Sequence, residues 1–348
     1  KDDFGRRHST ALLCARGRLR RSMTLPGAFA SARACACCTP LDDGDEGGGD
    51  AATSSEASST AWLFDEAALS AARASAASLF VFDSHCHTHS GPRAACDARM
   101  YEGVTQAVDE AEWLEVLKRK SGDTVGFGVH PWQAHLARLA QNGFQDRLEA
   151  MLLAHPEAIV GEIGLCKCAR NVRGDKAARA TGAEAQAKVF EVQLDVALKL
   201  GRPASVHCVR AHKELRAALA AALGRVGGAE AGPRASVALH SFSGSAADVR
   251  ALLEDPAITT ACDVYFGFSH TVNVLMAGKR DFAALLDAVR AVPEDRLLVE
   301  SDVSEASTAH AATLRAVLLV AHARKWPAAL AAEKTAANAR SWLRRPAN

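Results

Sequence analysis

From Leu79 onward the chain alternates short apolar runs with longer stretches whose apolar positions recur at helical spacing, the pattern of repeated strand–helix units. The runs predict strands over Leu79–Ser84, Gly103–Ala107, Thr124–Val129, Ala158–Gly161, Pro203–Val206, Ser236–Leu239, Thr260–Gly267 and Arg296–Val299. Of these, Gly103–Ala107 is short and its apolar pattern weak. Helical stretches fall between them, over Ala111–Lys120, Phe144–Ala154, Ala183–Leu200, Ala211–Leu223, Ala246–Glu254, Arg280–Val292 and Thr308–Ala323. Eight strands with intervening helices in about 270 residues match the α/β class and the size of a (β/α)8 barrel. A doubly wound sheet would call for a glycine-rich phosphate loop after its first strand. Here that strand runs into Ser84-His85-Cys86-His87.

Residues 1–78 have a different texture. The first 41 carry Arg6, Arg7, Arg16, Arg18, Arg20, Arg21 and Arg33 with acids only at Asp2 and Asp3. An acidic, glycine-rich patch (42–50) and a Ser/Ala/Thr run (51–61) follow. Neither buries enough apolar surface to offset chain entropy, so a disordered leader is expected over 1–78, with a short helix around Phe64–Ala77. An Arg/Ser/Ala-rich, acid-poor leader resembles an organelle transit peptide, and an extension without function fits equally well. The expected organisation is therefore a leader, 1–78, and one barrel domain, 79–348. The expected location is intracellular: cytoplasmic, or organellar where the leader is a transit peptide.

Composition narrows the partners. Lys plus Arg is 41 against 40 Asp plus Glu, so the formal net charge of +1 supplies no global field for a polyanion or a membrane. A nuclease survives this test, because bound metal ions can provide positive charge where phosphate sits. The ten cysteines follow no repeating frame, which suits a reducing compartment better than a disulfide scaffold. No apolar run reaches 18 residues, so no membrane span is expected.

The chemistry gathers where a barrel keeps its active site, at the C-terminal ends of the strands. Read in order, those ends carry His85 and His87, then His130, Glu162, His207, His240, His270 and Asp302. Singly, each has an ordinary explanation: a loop histidine pair, a salt-bridged acid, a hydrogen-bonded core histidine. Chance placement of so many in a chain with 13 histidines is a poor account. Four histidines and two carboxylates suit a centre of two divalent ions with mixed nitrogen and oxygen ligands. The neighbouring Glu300 reads as a structural ion-pair residue.

The same motifs resemble the TatD-type metal-dependent deoxyribonucleases of the amidohydrolase-like superfamily. Asp83-Ser-His-Cys-His87 is similar to that family's D-x-H-x-H, Gly128-Val-His-Pro-Trp132 to its G-hydrophobic-H-P-W, and Gly161-Glu-Ile-Gly-Leu165 with Lys167 to its G-E-I-G-L-D-K. Ser205–Ala211, His240–Gly244 and Glu300-Ser-Asp302 resemble its later strand motifs, and Asn338–Leu343 its terminal helix. The resemblance implies that His85, His87 and Asp302 bind one metal. Glu162 would bridge to a second, which His207 and His240 complete. Three departures stand out: Cys166 where the family usually has Asp, Val303-Ser304 where Ala-Pro commonly follows the last Asp, and the weak second strand near Gln106 and Asp109.

The expected activity is hydrolysis of ester bonds, specifically DNA phosphodiesters, with 3′ to 5′ exonuclease action implied by the resemblance. Two divalent ions (Mg, Mn, Zn or Ni) would activate a water, with Asp302 and Glu162 as the catalytic carboxylates and Asp302 orienting or deprotonating the water. His130 and Arg210 are the candidates for contacts to substrate phosphate. The expected partner is DNA, single-stranded or at damaged ends. A small amide, lactone or phosphoester substrate remains open, as does a non-catalytic scaffold that keeps the barrel.

Overall fold

The computed structural model describes residues 61–87, 100–118, 124–134, 143–226, 234–274, 278 and 281–344. The leader expectations for residues 1–60 lie outside these. Eight strands pair in parallel in chain order: β1 Val81–Cys86, β2 Tyr101–Gln106, β3 Thr124–Phe127, β4 Ile159–Cys166, β5 Ala204–Val209, β6 Ala235–His240, β7 Cys262–Ser269 and β8 Leu297–Glu300. The sheet closes on itself where Asp302 N–H donates to the His85 carbonyl (3.0 Å) and His87 N–H to the Val303 carbonyl (2.8 Å). The expected (β/α)8 barrel is therefore present. The second strand is not the weak one its sequence suggested: β2 spans six residues. The irregularity falls instead in β1, where the pairing register shifts between Asp83 and Cys86.

Helices α1 (Glu66–Ser75), α2 (Trp113–Lys118), α3 (Phe144–Ala154), α4 (Lys176–Leu200), α5 (His212–Val226), α6 (Ala246–Leu253), α7 (Pro256–Thr259), α8 (Phe282–Ala291), α9 (Ala306–Arg324) and α10 (Ala328–Trp342) surround the strands. Local chemistry sets several of their starts. Asp65 caps α1 and Asp175 caps α4 by accepting backbone N–H groups, and Ser245 with Asp248 forms a reciprocal capping box at α6. Gly201, in the left-handed region, ends α4.

Period-two alternation layers the barrel interior. Phe82, Val104, Ile159, Ala238 and Leu298 pack in an apolar floor with Ala336, Ala339 and Trp342 of α10, which plugs the bottom. Two residues further along the strands stand Ser84, Gln106, His240 and Glu300, all buried. The barrel is thus apolar at its base and polar toward its C-terminal mouth, so the strands themselves present the donor groups.

Residues 61–75 pack on the barrel. Leu63 and Leu69 are almost fully buried in the main core, and Phe64 stacks edge-on against Phe282 at 5.0 Å. His270, at the end of β7, makes a 3.0 Å hydrogen bond with the Leu63 carbonyl. This histidine is thereby turned to the N-terminal strap.

Candidate metal centre

Glu162 sits at the middle of the mouth and is 1% exposed. Its Oε2 faces His85 Nε2 (3.3 Å) and His87 Nε2 (3.1 Å), and its Oε1 faces His207 Nδ1 (3.0 Å), His240 Nε2 (2.8 Å) and His130 Nε2 (3.2 Å). Asp302 completes one side, with Oδ1 at 3.6 Å from His87 Nε2 and 3.9 Å from His85 Nε2. The six residues expected as ligands are thus brought together, and His130 joins them. Arg210 stands apart: it is exposed on the rim just beyond β5, with a left-handed backbone (φ 56°).

Two geometric features fit divalent cations. His85 Nε2 and His87 Nε2 lie 3.1 Å apart, as do His207 Nδ1 and His240 Nε2. Two ligands on one ion with bonds of about 2.1 Å are separated by about 3.0–3.4 Å in octahedral or tetrahedral geometry. Each nitrogen pair therefore has the span of one coordination edge, and the two oxygens of Glu162 face one pair each. No Lys or Arg forms an ion pair with Glu162 or Asp302 among the described residues, so a cation is the natural counter-charge.

The far ring nitrogens decide which histidines can ligate. His85 Nδ1 lies 2.9 Å from Ser205 Oγ, and His87 Nδ1 lies 3.3 Å from the Gln106 carbonyl. A carbonyl only accepts, so His87 carries a proton on Nδ1, and in the neutral ring Nε2 turns its lone pair to the centre. His240 Nδ1 faces Glu300 Oε1 at 3.4 Å with no hydrogen bond between them, so the carboxylate acts on the ring by charge. His207 presents Nδ1 inward, while its buried Nε2 has no hydrogen bond and the Cys166 sulfur lies beside the ring. His130 is the reverse case. Trp132 N–H donates to its Nδ1 (3.2 Å), so the neutral ring keeps its proton on Nε2 and donates toward Glu162 Oε1.

Charge follows the same division. Burial would raise the Glu162 carboxyl, yet the surrounding imidazoles, His130 and His240 foremost, hold it well below the usual carboxylate range. Burial pulls His85 down to about 3 and His130 down to about 4, against the pull of Glu162. For His207 the contacts with Cys166 and Glu162 override burial and push the ring up to about 9, and Glu162 acts likewise on His240. Against burial, Glu162 and Asp302 also raise His87, so without an ion Glu162 draws protons onto the imidazoles around it, and a metal would displace them.

A further layer of polar groups supports the ligands. Glu300, expected as an ion-pair residue, does face His240 and binds more besides. Its Oε1 accepts from Ser241 N–H and from Ser241 Oγ (2.8 Å) besides facing His240, and its Oε2 accepts from Ser84 Oγ (3.2 Å). Asp83, buried and pushed up to about 6 by burial, accepts from Ser301 N–H (2.9 Å), His85 N–H (3.2 Å), Tyr101 Oη (2.8 Å) and Thr313 Oγ1 (3.1 Å). It pins β1 to the end of β8. The usable signal was period two, since Ser205 lies two positions before His207 on the same inward face.

The model of the TatD-related DNases matches residues 82–344. The chain belongs to this family of metal-dependent nucleases. Among relatives, the Cut9-interacting protein scn1 of Schizosaccharomyces pombe is 23% identical over 339 residues, spanning 76% of this chain and 98% of that protein. The 3′-5′ ssDNA/RNA exonuclease TatD of Edwardsiella piscicida is 32% identical over 175 residues, 50% of this chain and 55% of that protein. The fold is shared with the crystal structure of YJJV, a TatD homolog from Escherichia coli, at a TM-score of 0.55 and 20% identity over 76% of this chain and 98% of that one. Membership accounts for the barrel and the mouth of clustered donors. Cys166, where the family usually carries Asp, accepts a hydrogen bond from Trp132 Nε1 (3.4 Å) and packs beside His207.

Proposed function

We propose that this chain hydrolyses nucleic acid phosphodiesters, removing nucleotides from the 3′ end of single strands, with two divalent ions held by His85, His87, Asp302, Glu162, His207 and His240. The observation that carries this reading is Glu162, whose two oxygens each face one pair of lone-pair nitrogens spaced for a single ion. The 3′ polarity and single-strand preference rest on the printed name of the Edwardsiella relative. The activity is assigned to the barrel, residues 79–348, with residues 61–78 packed on it.

Bound divalent ions would supply Lewis acidity toward a phosphoryl oxygen and a water that ionises near neutral pH. The chain's own groups divide the remaining work. Asp302 turns Oδ1 to the histidine pair and Oδ2 to Ser241 Oγ (3.5 Å), and Oδ2 is the atom placed to take the proton of the attacking water. His130 holds its proton at Nε2, where it steadies Glu162 by donating to Oε1. Burial of His85, Glu162 and His240 excludes bulk water, so charge interactions there are worth more than at the surface.

The test is release of mononucleotides from a 5′-labelled oligonucleotide by chelator-stripped protein. Activity is expected to be absent, to return with Mg or Mn, and to stay absent in Asp302→Ala. Full activity of Asp302→Ala, or hydrolysis of small amides and lactones in place of phosphodiesters, would overturn the reading.

A further inference from the structure

We infer that the rim above β4 and β5 is a basic track that holds the backbone of a single-stranded nucleic acid leading into the metal centre, an assignment that rests on the nuclease reading above. The net charge of the chain is +1, yet its charge is not evenly spread around the mouth. Residues 167–176, directly after β4, carry four basic side chains, Lys167, Arg170, Arg173 and Lys176, against one acid, Asp175. Residues 210–214, directly after β5, carry Arg210 and Lys213 against Glu214. All six basic side chains are exposed. The two acids are already engaged: Asp175 caps α4 through the Ala178 N–H (2.9 Å), and Glu214 pairs with Lys167 (2.6 Å).

The two segments form one surface. Both Arg173 and Arg210 lie close enough to Cys168 to act on its thiol electrostatically, and Arg173 donates to the Cys168 carbonyl (3.1 Å). The loop is fixed in place, because Asn171 Nδ2 donates to the Pro131 carbonyl (2.8 Å) and Gln186 bonds both Asn171 and the Cys166 backbone. Arg170, Lys176, Arg210 and Lys213 form no ion pair among the described residues. A surplus of cations without ion pairs, faced from outside the two segments by Asp248, which acts on Lys213, is a surface for phosphates rather than for a salt-bridge network.

Among the described residues, the loops after β2 and β8 have the opposite sign: Asp109, Glu110 and Glu112 follow β2, with Glu110 paired to Arg147, and Asp302 and Glu305 follow β8. A strand is therefore drawn in from the β4–β5 side, where half-buried Trp132 lies between the loop and His130 (ring centroids 5.0 Å). The ions meet the scissile group, and the rim, Arg210 included, meets the groups beside it. A single strand is favoured because the catalytic donors are buried below the rim, where a threaded backbone reaches and a duplex does not.

The test is fluorescence anisotropy of a fluorescein-labelled 12-mer of deoxythymidylate in EDTA, so that no cleavage occurs, across a salt titration. Wild-type protein and the triple variant Arg170→Gln/Lys176→Gln/Arg210→Gln are compared. Each lost phosphate contact on a single strand lowers the slope of log K against log salt by about 0.7, so the variant's slope should fall by about 2 and its affinity at 0.1 M salt by roughly 100-fold. KM for the same oligonucleotide with Mn should rise by a similar factor, and KM for bis(p-nitrophenyl) phosphate by less than a tenth of that. An unchanged slope with an unchanged melting temperature would overturn the assignment. So would binding of polyglutamate of equal charge as tightly as the oligonucleotide, which would mark a surface for acidic proteins. Loss of Mn-dependent diester hydrolysis in the wild type would instead count against the nuclease reading, and the anisotropy result would stand on its own.

Discussion

Glu300→Gln separates a residue that orients a ligand from one that merely fills space. The side chain is 0% exposed, and one oxygen accepts from Ser241 N–H and Oγ while facing His240 Nδ1. Glutamine has nearly the same volume and can keep an oxygen at that position. Its amide nitrogen then faces Ser84 Oγ, which can turn its proton from Oε2 to the Val299 carbonyl (3.0 Å) and accept in exchange. The hydrogen-bond count is preserved, so stability should change by about 1 kcal/mol or less. What is lost is the carboxylate that makes His240 Nε2 a strong donor. Removing such a partner lowers metal affinity or activity roughly 10- to 100-fold, equivalent to about 1.4–2.8 kcal/mol. Alanine would be a poor substitute, since it strands the buried Ser241 N–H at about 1–3 kcal/mol, while the Ser241 hydroxyl keeps Ser269 Oγ (2.9 Å). The assay is the Mn concentration giving half-maximal diester hydrolysis, measured beside the melting temperature. A wild-type Mn dependence in Glu300→Gln would refute the orienting role. A melting temperature lowered as far as in Glu300→Ala would show that the role is only structural.

Three further outcomes are expected. Mn at 100 times its dissociation constant should stabilise the native chain by about 2.7 kcal/mol, read as a rise in melting temperature that Glu162→Ala abolishes. Gly164→Ala should cost about 2–6 kcal/mol in melting experiments, because Gly164 has φ +146° and an added Cβ would lie 1.9 Å from the His207 carbonyl oxygen; unchanged stability would contradict that close approach. Burial, aided by Arg315 and opposed by Glu66, lowers the His270 pKa, so its neutral form is favoured in the fold. Stability from this histidine is full above about pH 6.5 and is lost as pH falls toward the folded value, because the unfolded ring takes up the proton first. The melting temperature of His270→Gln should therefore fall less between pH 7.5 and 5.5 than that of the wild type, and equal falls would exclude the effect.

How much of this was legible in the sequence depended on which physical signal each element carried. Phe144–Ala154 was readable to the residue, and the eight apolar runs gave every strand its place. Strand ends were not readable. β4 continues five residues beyond the expected Gly161, through Glu162 to Cys166, and β5 three beyond Val206. There the inward positions turn polar to serve the site, so the apolar pattern stops while the backbone ladder continues. β2 looked weak for the same reason, with Gln106 buried on the inward face toward the site. The start of α4 at Lys176, seven residues before the expected Ala183, was hidden because its first turns are exposed and carry no apolar stripe. Among site residues, the histidines and carboxylates declared themselves by position. Ser205 is reachable by period two from His207, whereas Glu300 and the tautomer-setting Trp132 N–H act through distances and ring faces that no spacing encodes.

The most direct test of the central claim is a count of bound ions. Isothermal titration of the chelator-stripped full chain with Mn, checked by elemental analysis after dialysis, should give two ions per chain in the wild type. Glu162→Ala, which removes the carboxylate both nitrogen pairs face, should bind at least 100-fold more weakly. Absence of binding in the wild type, or an equal stoichiometry and affinity in Glu162→Ala, would contradict the account.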